Sequence, residues 1–162
     1  MPIFATAGSK VFIGGALAAK NADFVEADFD AQVWVEVGSM ENIGSLGDTS
    51  AEITFDDIGK NRTQKLKGTR NAGNCELVMG IDYADPGQIA LLAAEKTPHD
   101  YAFKIEFNDK PASGASPKNS ERLFVAKVMS AAEALDQANN VMKLNATLGI
   151  NSNVVRVNAS AA

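Results

Sequence analysis

The sequence predicts a mainly β domain, a sandwich or barrel with one flanking α-helix and long loops. Three observations predict it. Apolar and polar residues alternate with period two through much of the chain, one segment alone carries both helix-start and helix-stop chemistry, and Gly- and Pro-containing polar stretches separate the alternating runs. With 162 residues, 46% hydrophobic and 22% charged, the chain fits one globular domain of roughly 100 to 200 residues. The expected division is a single domain over 1–150 and a weakly ordered tail over 151–162.

The first strand is Lys10 to Ile13. The apolar run from Val11 to Ala19 has some look of a signal-peptide core, but Gly14 and Gly15 interrupt it, and a short strand entering a loop explains it better. In Ala31 to Val37, Val33, Val35 and Val37 oppose Gln32, Trp34 and Glu36, so both faces are occupied. Ala51, Ile53 and Phe55 alternate with Glu52, Thr54 and Asp56, and Cys75, Leu77, Met79 and Ile81 alternate with Glu76, Val78, Gly80 and Asp82. Tyr101, Phe103, Ile105 and Phe107 oppose Ala102, Lys104 and Glu106; the pattern returns weakly at Leu123 to Ser130 and strongly at Met142 to Ile150.

The helix is expected from Pro86 to Lys96. Asp85 supplies its N-cap, Pro86 stands where a missing N–H costs nothing, and Pro98 stops it, with Ile89, Leu92 and Ala93 on one face. Ala131 to Gln137 has good helix formers but is short and poorly capped, and reads as a turn. Ser39 to Ser50 has turn chemistry. Asp56 to Asn74 and Asn108 to Ser120 read as long polar surface loops, which in a compact domain usually carry function or disorder.

Composition excludes several functions. A net charge of −5 and a pI near 4.9 disfavour a nucleic-acid grip, which needs clustered cations to displace counterions. Cys75 is the only cysteine and His99 the only histidine, so neither an intrachain disulfide nor a Cys/His zinc cluster can form. His99 and Asp100 are neighbours on an extended segment, facing opposite ways, and so are not a catalytic base with its orienter. Asp57, Asp82 and Asp85 lack the spacing of a calcium loop, and no phosphate-binding glycine motif occurs. No enzyme, cofactor or metal is expected. No apolar run approaches the roughly 18 residues that cross a bilayer, so no membrane partner is expected.

One charge pattern stands out. Lys60, Arg62, Lys65, Lys67 and Arg70 fall in a stretch without a single acid, while Asp23 to Glu36 and then Glu41 to Asp57, which precede it, are acidic. The plain reading is a solvated loop; the sharper one is a contact between copies, the basic loop of one meeting the acidic surface of the next. Base-stacking aromatics are absent from the cluster.

Trp34-Val35-Glu36-Val37-Gly38-Ser39-Met40, Ile43-Gly44-Ser45-Leu46-Gly47 and Ile53-Thr54-Phe55-Asp56-Asp57 follow one another, then Lys65-Leu66-Lys67-Gly68, Asn71-Ala72-Gly73-Asn74 and Met79-Gly80-Ile81-Asp82-Tyr83. Asp85-Pro86-Gly87-Gln88 with Leu91-Leu92, and Phe103-Lys104-Ile105, complete the series. By the order of these short motifs, over Val33 to Gly149, the chain resembles the major tail tube proteins of long-tailed bacteriophages. The resemblance implies a tail-tube-type β-sandwich or barrel, hexameric rings stacked into a tube, and passage of DNA without specific binding. It also implies other tail proteins as partners, a tape measure and a terminator, with the virion tail as location and the host cytoplasm as the place of assembly. The C-terminal immunoglobulin-like domain of some members is not in this sequence, so a minimal subunit is expected.

In that frame Lys60, Arg62, Lys65, Lys67 and Arg70 are expected at a ring-to-ring contact, because the family's long loop after the second large strand reaches a neighbouring ring. Lys143, Asn145 and Thr147, the polar face of the late strand, are expected in a sheet that continues into a neighbouring subunit, with Met142, Leu144, Ala146 and Leu148 closing the core. The nearest rival is a type VI secretion ring protein. A carbohydrate-binding sandwich, which would expose aromatics, is a weaker alternative for a chain with 7% aromatics.

Overall fold

A computed structural model describes residues 2–162. In chain order it contains β1 (Lys10–Ala16), a 3₁₀ turn (Glu26–Phe29), β2 (Val35–Val37), β3 (Met40–Asn42), β4 (Thr49–Asp57), β5 (Arg62–Asn71) and β6 (Asn74–Gly80). Then come α1 (Pro86–Glu95), β7 (Tyr101–Glu106), β8 (Glu121–Ala134), β9 (Lys143–Ile150) and β10 (Val155–Val157).

All strands but β4 and β5 form one sheet in the order β2-β1-β7-β8-β9-β6-β3, every pair antiparallel, with β10 added alongside β8. The end strands β2 and β3 are consecutive in sequence, separated only by Gly38 and Ser39. Three Cα steps reach about 11 Å at most, so the sheet must curl until its two ends almost meet. The result is an incompletely closed barrel.

That closing corner is held by the start of α1. Asp85 Oδ2 accepts from the Gln88 amide at 2.9 Å as an N-cap and from the Gly38 amide at 3.1 Å. Gln88 is 3% exposed, and its side chain donates to the carbonyls of Gly38 (3.2 Å) and Gly80 (2.8 Å) while accepting from the Asp82 amide (3.0 Å). One amide therefore joins the end of β2 to the end of β6. Gly87 lets this happen: a Cβ there would stand 2.1 Å from the Glu36 carbonyl oxygen.

This approach also decides which face of α1 is buried. The sequence reading placed Ile89, Leu92 and Ala93 inward; the buried residues are Gly87, Gln88, Leu91 and Ala94, and Ile89 is 53% exposed. Backbone proximity at Gly87 and polar satisfaction at Gln88 override the apolar count.

β7 and the first half of β8 are buried on both faces. Phe103 and Phe124, with ring centroids 5.7 Å apart, lie among Leu77, Met79, Leu144 and Leu148 on the barrel's inner side. Ala102, Leu123 and Val125 on the other side are covered by Phe24 and Phe29, against which Trp34 stacks. The expected strand over Ala31 to Val37 is thus confined to Val35–Val37, since the 3₁₀ turn and Trp34 are used as a lid. Cys75 is fully buried, as its apolar-face position suggested, and burial pushes its thiol up to about 11.

Two segments are more ordered than expected. Ala131 to Ala134 extends β8 instead of turning, because β9 supplies a partner that outweighs helix propensity. In the expected tail, Val155–Val157 pairs with Leu123 to Glu121 of β8, and Asn153 accepts from the Phe24 amide and donates to its carbonyl. Between β9 and β10, Asn151 donates to the Val125 carbonyl and the Val125 amide donates to Ser152 Oγ, so the two strands run along one edge of β8 as a single interrupted strand.

Gln88→Leu keeps the volume but leaves two buried carbonyls and one amide without partners. It is expected to cost about 2–4 kcal/mol, a fall in melting temperature of roughly 5–15 °C by calorimetry, whereas Ile89→Ser on the exposed side should fall by no more than about 2 °C.

Candidate functional site

The segment after Asp56 is not a loop. Thr49–Asp57 and Arg62–Asn71 form a β-hairpin that is a two-stranded sheet of its own. Its register is mirror-symmetric about Gly59-Lys60: Glu52 faces Lys67, Ile53 faces Leu66, Thr54 faces Lys65 and Asp57 faces Arg62. Asp57 Oδ1 makes the turn by accepting from the amides of Gly59 (2.9 Å) and Lys60 (3.3 Å), and Asn61 takes the left-handed conformation at φ 47°. Apolar alternation could not reveal β5, in which Leu66 is the only large apolar side chain. The matched opposite charges on either side of the turn are the signal that could have.

One face of the hairpin carries Ala51, Ile53, Phe55 and Leu66. Ile53 is 48% exposed, Phe55 59%, Leu66 60%, and Ile58 at the turn 97%. Among the described residues the two strands pack essentially on each other alone. A two-stranded hairpin in water is marginal by itself, and a contiguous apolar face points to a partner.

The five cations lie on this hairpin, but not as a free basic patch. Lys65 pairs with Glu52 at 3.3 Å, Lys60 with Asp57 at 3.9 Å, and Arg70 with Asp48. Among the described residues, Arg62 and Lys67 have no acid within 4.0 Å. The three pairs are exposed, where such contacts contribute about 0–1 kcal/mol and exchange easily.

Lys143, Asn145 and Thr147 lie on β9, inside the sheet and not at its edge. β9 pairs along its length with β6 on one edge and β8 on the other, so both its edges are used within the chain and a neighbouring strand cannot add to β9 itself. Asn145 is exposed, Lys143 and Thr147 are half-buried, and Lys143 donates to Glu41 at 2.9 Å. Leu144, Ala146 and Leu148 do close the core; Met142 lies outside the strand and is 48% exposed. The open edge is elsewhere. β7 covers β8 only as far as Ala126, leaving Val128 to Ala134 paired on the β9 side alone.

Beside the hairpin base is a concavity of about 420 Å³, lined by Phe4, Ile43, Leu46, Phe107, Arg122 and Arg156 among others. The Arg122 guanidinium stacks on Phe107 at 4.8 Å and donates to the Glu121 carbonyl at 2.9 Å. Burial and the nearby Arg156 lower its pKa. The loop over Asn108 to Ser120 is pinned here rather than loose: Asp109 accepts from the Ser120 amide (2.8 Å) and hydroxyl (2.6 Å), and Asn119 accepts from the amides of Asp109 and Lys110. Burial alone would raise the Asp109 carboxyl, but the Ser120 bonds and Arg122 outweigh it and hold it below the usual range. No group of three metal-ligating side chains occurs among the described residues, and His99 is exposed.

No protein-family model matches the sequence, and no curated protein matches it. Solved structures do match in fold. A chain of the anti-feeding prophage baseplate, 6-fold symmetrised, superposes with a TM-score of 0.69 at 14% identity, covering 98% of each chain. The SPP1 tail tube superposes with a TM-score of 0.64 at 15% identity, over 99% of this chain and 81% of that one. The sheath/tube terminator of an extracellular contractile injection system, PVC, gives 0.64 at 12% identity, over 97% and 98%. The fold is therefore that of the tail tube proteins, as the sequence resemblance implied, and these neighbours are parts of particles rather than enzymes.

Asp109 carries a sign-defined pH effect. Its folded pKa is depressed, so its contribution to stability is present above the ordinary carboxylate range and is lost as pH falls through the folded value. Asp109→Asn should lower the melting temperature by roughly 2–6 °C at pH 7, and the gap between variant and wild type should narrow steadily below about pH 4. A gap independent of pH would mean that the carboxylate charge is not what Ser120 recognises.

Proposed function

We propose that the chain is a tail tube subunit: copies join edge to edge into rings of six, the symmetry of the baseplate neighbour, and rings stack through the hairpin into a conduit. 

The domain over 1–150 would form the tube wall, with 151–162 completing its sheet. The observation that carries this reading is a tail-tube-type fold bearing a hairpin of nine- and ten-residue strands that its own chain leaves uncovered. The open β8 edge from Val128 to Ala134 supports lateral joining, because an unpaired edge is a template for another strand and a closed ring removes it. With those edges in use, the polar side chains of Lys143, Asn145 and Thr147 would face a neighbour across the ring wall without β9 itself pairing.

The conduit would carry DNA without gripping it. A net charge of −5 per copy, repeated around a ring, repels phosphate and keeps the bore wet. Partners of the kind the neighbours' assemblies contain, a baseplate at one end and a terminator at the other, fit a tube with two distinct ends, as does a tape measure inside it. The place of the protein is then the virion tail, after assembly in the host cytoplasm. Because two of the neighbours belong to an anti-feeding prophage and a contractile injection system, an injection tube of type VI character is the second reading; the two share the assembly and differ in cargo.

Negative-stain microscopy of concentrated protein tests the assembly directly: tubes or six-fold rings are expected, and a protein that stays dispersed at every concentration and salt would sink the reading. Replacing Lys60, Arg62, Lys65, Lys67 and Arg70 with Ser or Gln should leave the melting temperature of the dispersed protein within about 3 °C. The same variant should polymerise more slowly, with less dependence on salt. Unchanged polymerisation at low and high salt would reduce those five side chains to solvated surface.

A further inference from the structure

The most exposed large apolar side chain of the hairpin is at its very tip. Ile58 is 97% exposed, in a turn fixed by Asp57, and Asp56 beside it uses its carboxylate only to accept from Thr63 Oγ1 at 2.7 Å. The concavity beside the hairpin base has the complementary character. Phe4, Ile43, Leu46 and Phe107 supply apolar lining, and Arg122 and Arg156 line it too. Arg122 is committed to the carbonyls of Glu121 and Val157, while Arg156 has no ion pair among the described residues.

The tip does not reach the concavity of its own chain. Leu46 lines it, and β4 begins at Thr49. Eight residue steps along β4 at about 3.4 Å carry the tip roughly 27 Å away, and the exposure of both strands shows that the hairpin does not fold back over the body. Donor and acceptor thus sit at opposite ends of one projecting element. A contact between them is heterologous, and repeating it propagates in one direction without pairing off copies.

We propose that the hairpin tip of one copy seats Ile58 in the Phe4–Leu46–Phe107 concavity of the next copy, with Asp56 against Arg156. This rests on the tube reading and names the receiving surface for its stacking contact. The apolar side chain supplies burial, and the single carboxylate–guanidinium pair fixes orientation.

Cysteine cross-linking tests it in the full chain. The native Cys75 is buried, with its thiol pushed up to about 11, and so stays silent. Ile58→Cys and Ala5→Cys both alter exposed side chains, Ala5 being at the rim of the concavity. Under mild oxidation of assembled protein, the double variant is expected to give a ladder of trimers and higher species on a non-reducing gel. Each single variant should give dimer at most. Arg156→Glu should raise the protein concentration needed for assembly about tenfold, with the melting temperature of the dispersed protein unchanged. If tubes form and the double variant gives no ladder, the concavity is not the receptor and the tube reading stands. If neither wild type nor variants assemble, both fall.

Discussion

Everything else in this fold hangs on a corner where two strands at opposite ends of one sheet are only two residues apart in sequence. Gly38 and Ser39 join β2 to β3, and the sheet between those strands passes through β1, β7, β8, β9 and β6 before it returns. A curled sheet with that connection has backbone groups at its seam that no ladder satisfies. Asp85 and Gln88 satisfy them: the carboxylate takes the Gly38 amide, and the carboxamide takes the carbonyls of Gly38 and Gly80 and the Asp82 amide. Water is not available to do so, since Gln88 is nearly fully buried. The helix is thus less a layer of the core than a clasp, and Gly87 is there because the clasp must touch the strand backbone.

Around that seam the chain separates into a body and a projection with different energetics. In the body, β8 is paired on one edge by β7 and on the other by β9 and β10, and its first half is buried on both faces. Its amides should be among the last to exchange. The hairpin has one ladder, no buried face and many charges. Local opening there should lie far below the global unfolding free energy. A partner that covers Ile53, Phe55 and Leu66 would raise the stability of that element by mass action without altering the body.

What could be read in the sequence depended on whether burial was local. The strands at Cys75, Tyr101 and Met142 were legible because one face of each is buried and period two follows directly; Asp85-Pro86 marked the helix start because capping is a local matter. β5 was not legible, since an uncovered strand has no apolar face to display, and its partner is chosen by charge pairing across a turn. The inward face of α1 was misread because a buried glutamine and a glycine define it. Of the candidate site, the cluster of cations is visible in the sequence; the hairpin under them is not, because it is local but has no buried face, and the concavity and the pairing of β9 with β6 are not, because they bring together residues far apart in the chain.

The charges of the hairpin acquire a second meaning from its exposed apolar face. A bare two-stranded ribbon carrying Ile53, Phe55 and Leu66 would be an aggregation template in any copy waiting to assemble. Glu52 opposite Lys67 and Thr54 opposite Lys65 fill the other face with solvated side chains, and Asp56, Asp57, Lys60 and Arg62 surround the tip. Those groups oppose strand stacking in arbitrary registers. A partner that covers the apolar face would therefore have to match these charges as well as the apolar side chains. On this view the same cations that make the segment conspicuous in an acidic chain hold the free subunit in solution and restrict what it can join. Because exposed pairs such as Lys65–Glu52 exchange readily, releasing them to a neighbour would cost little, and in the proposed contact orientation would be selected at the encounter while apolar burial supplied persistence.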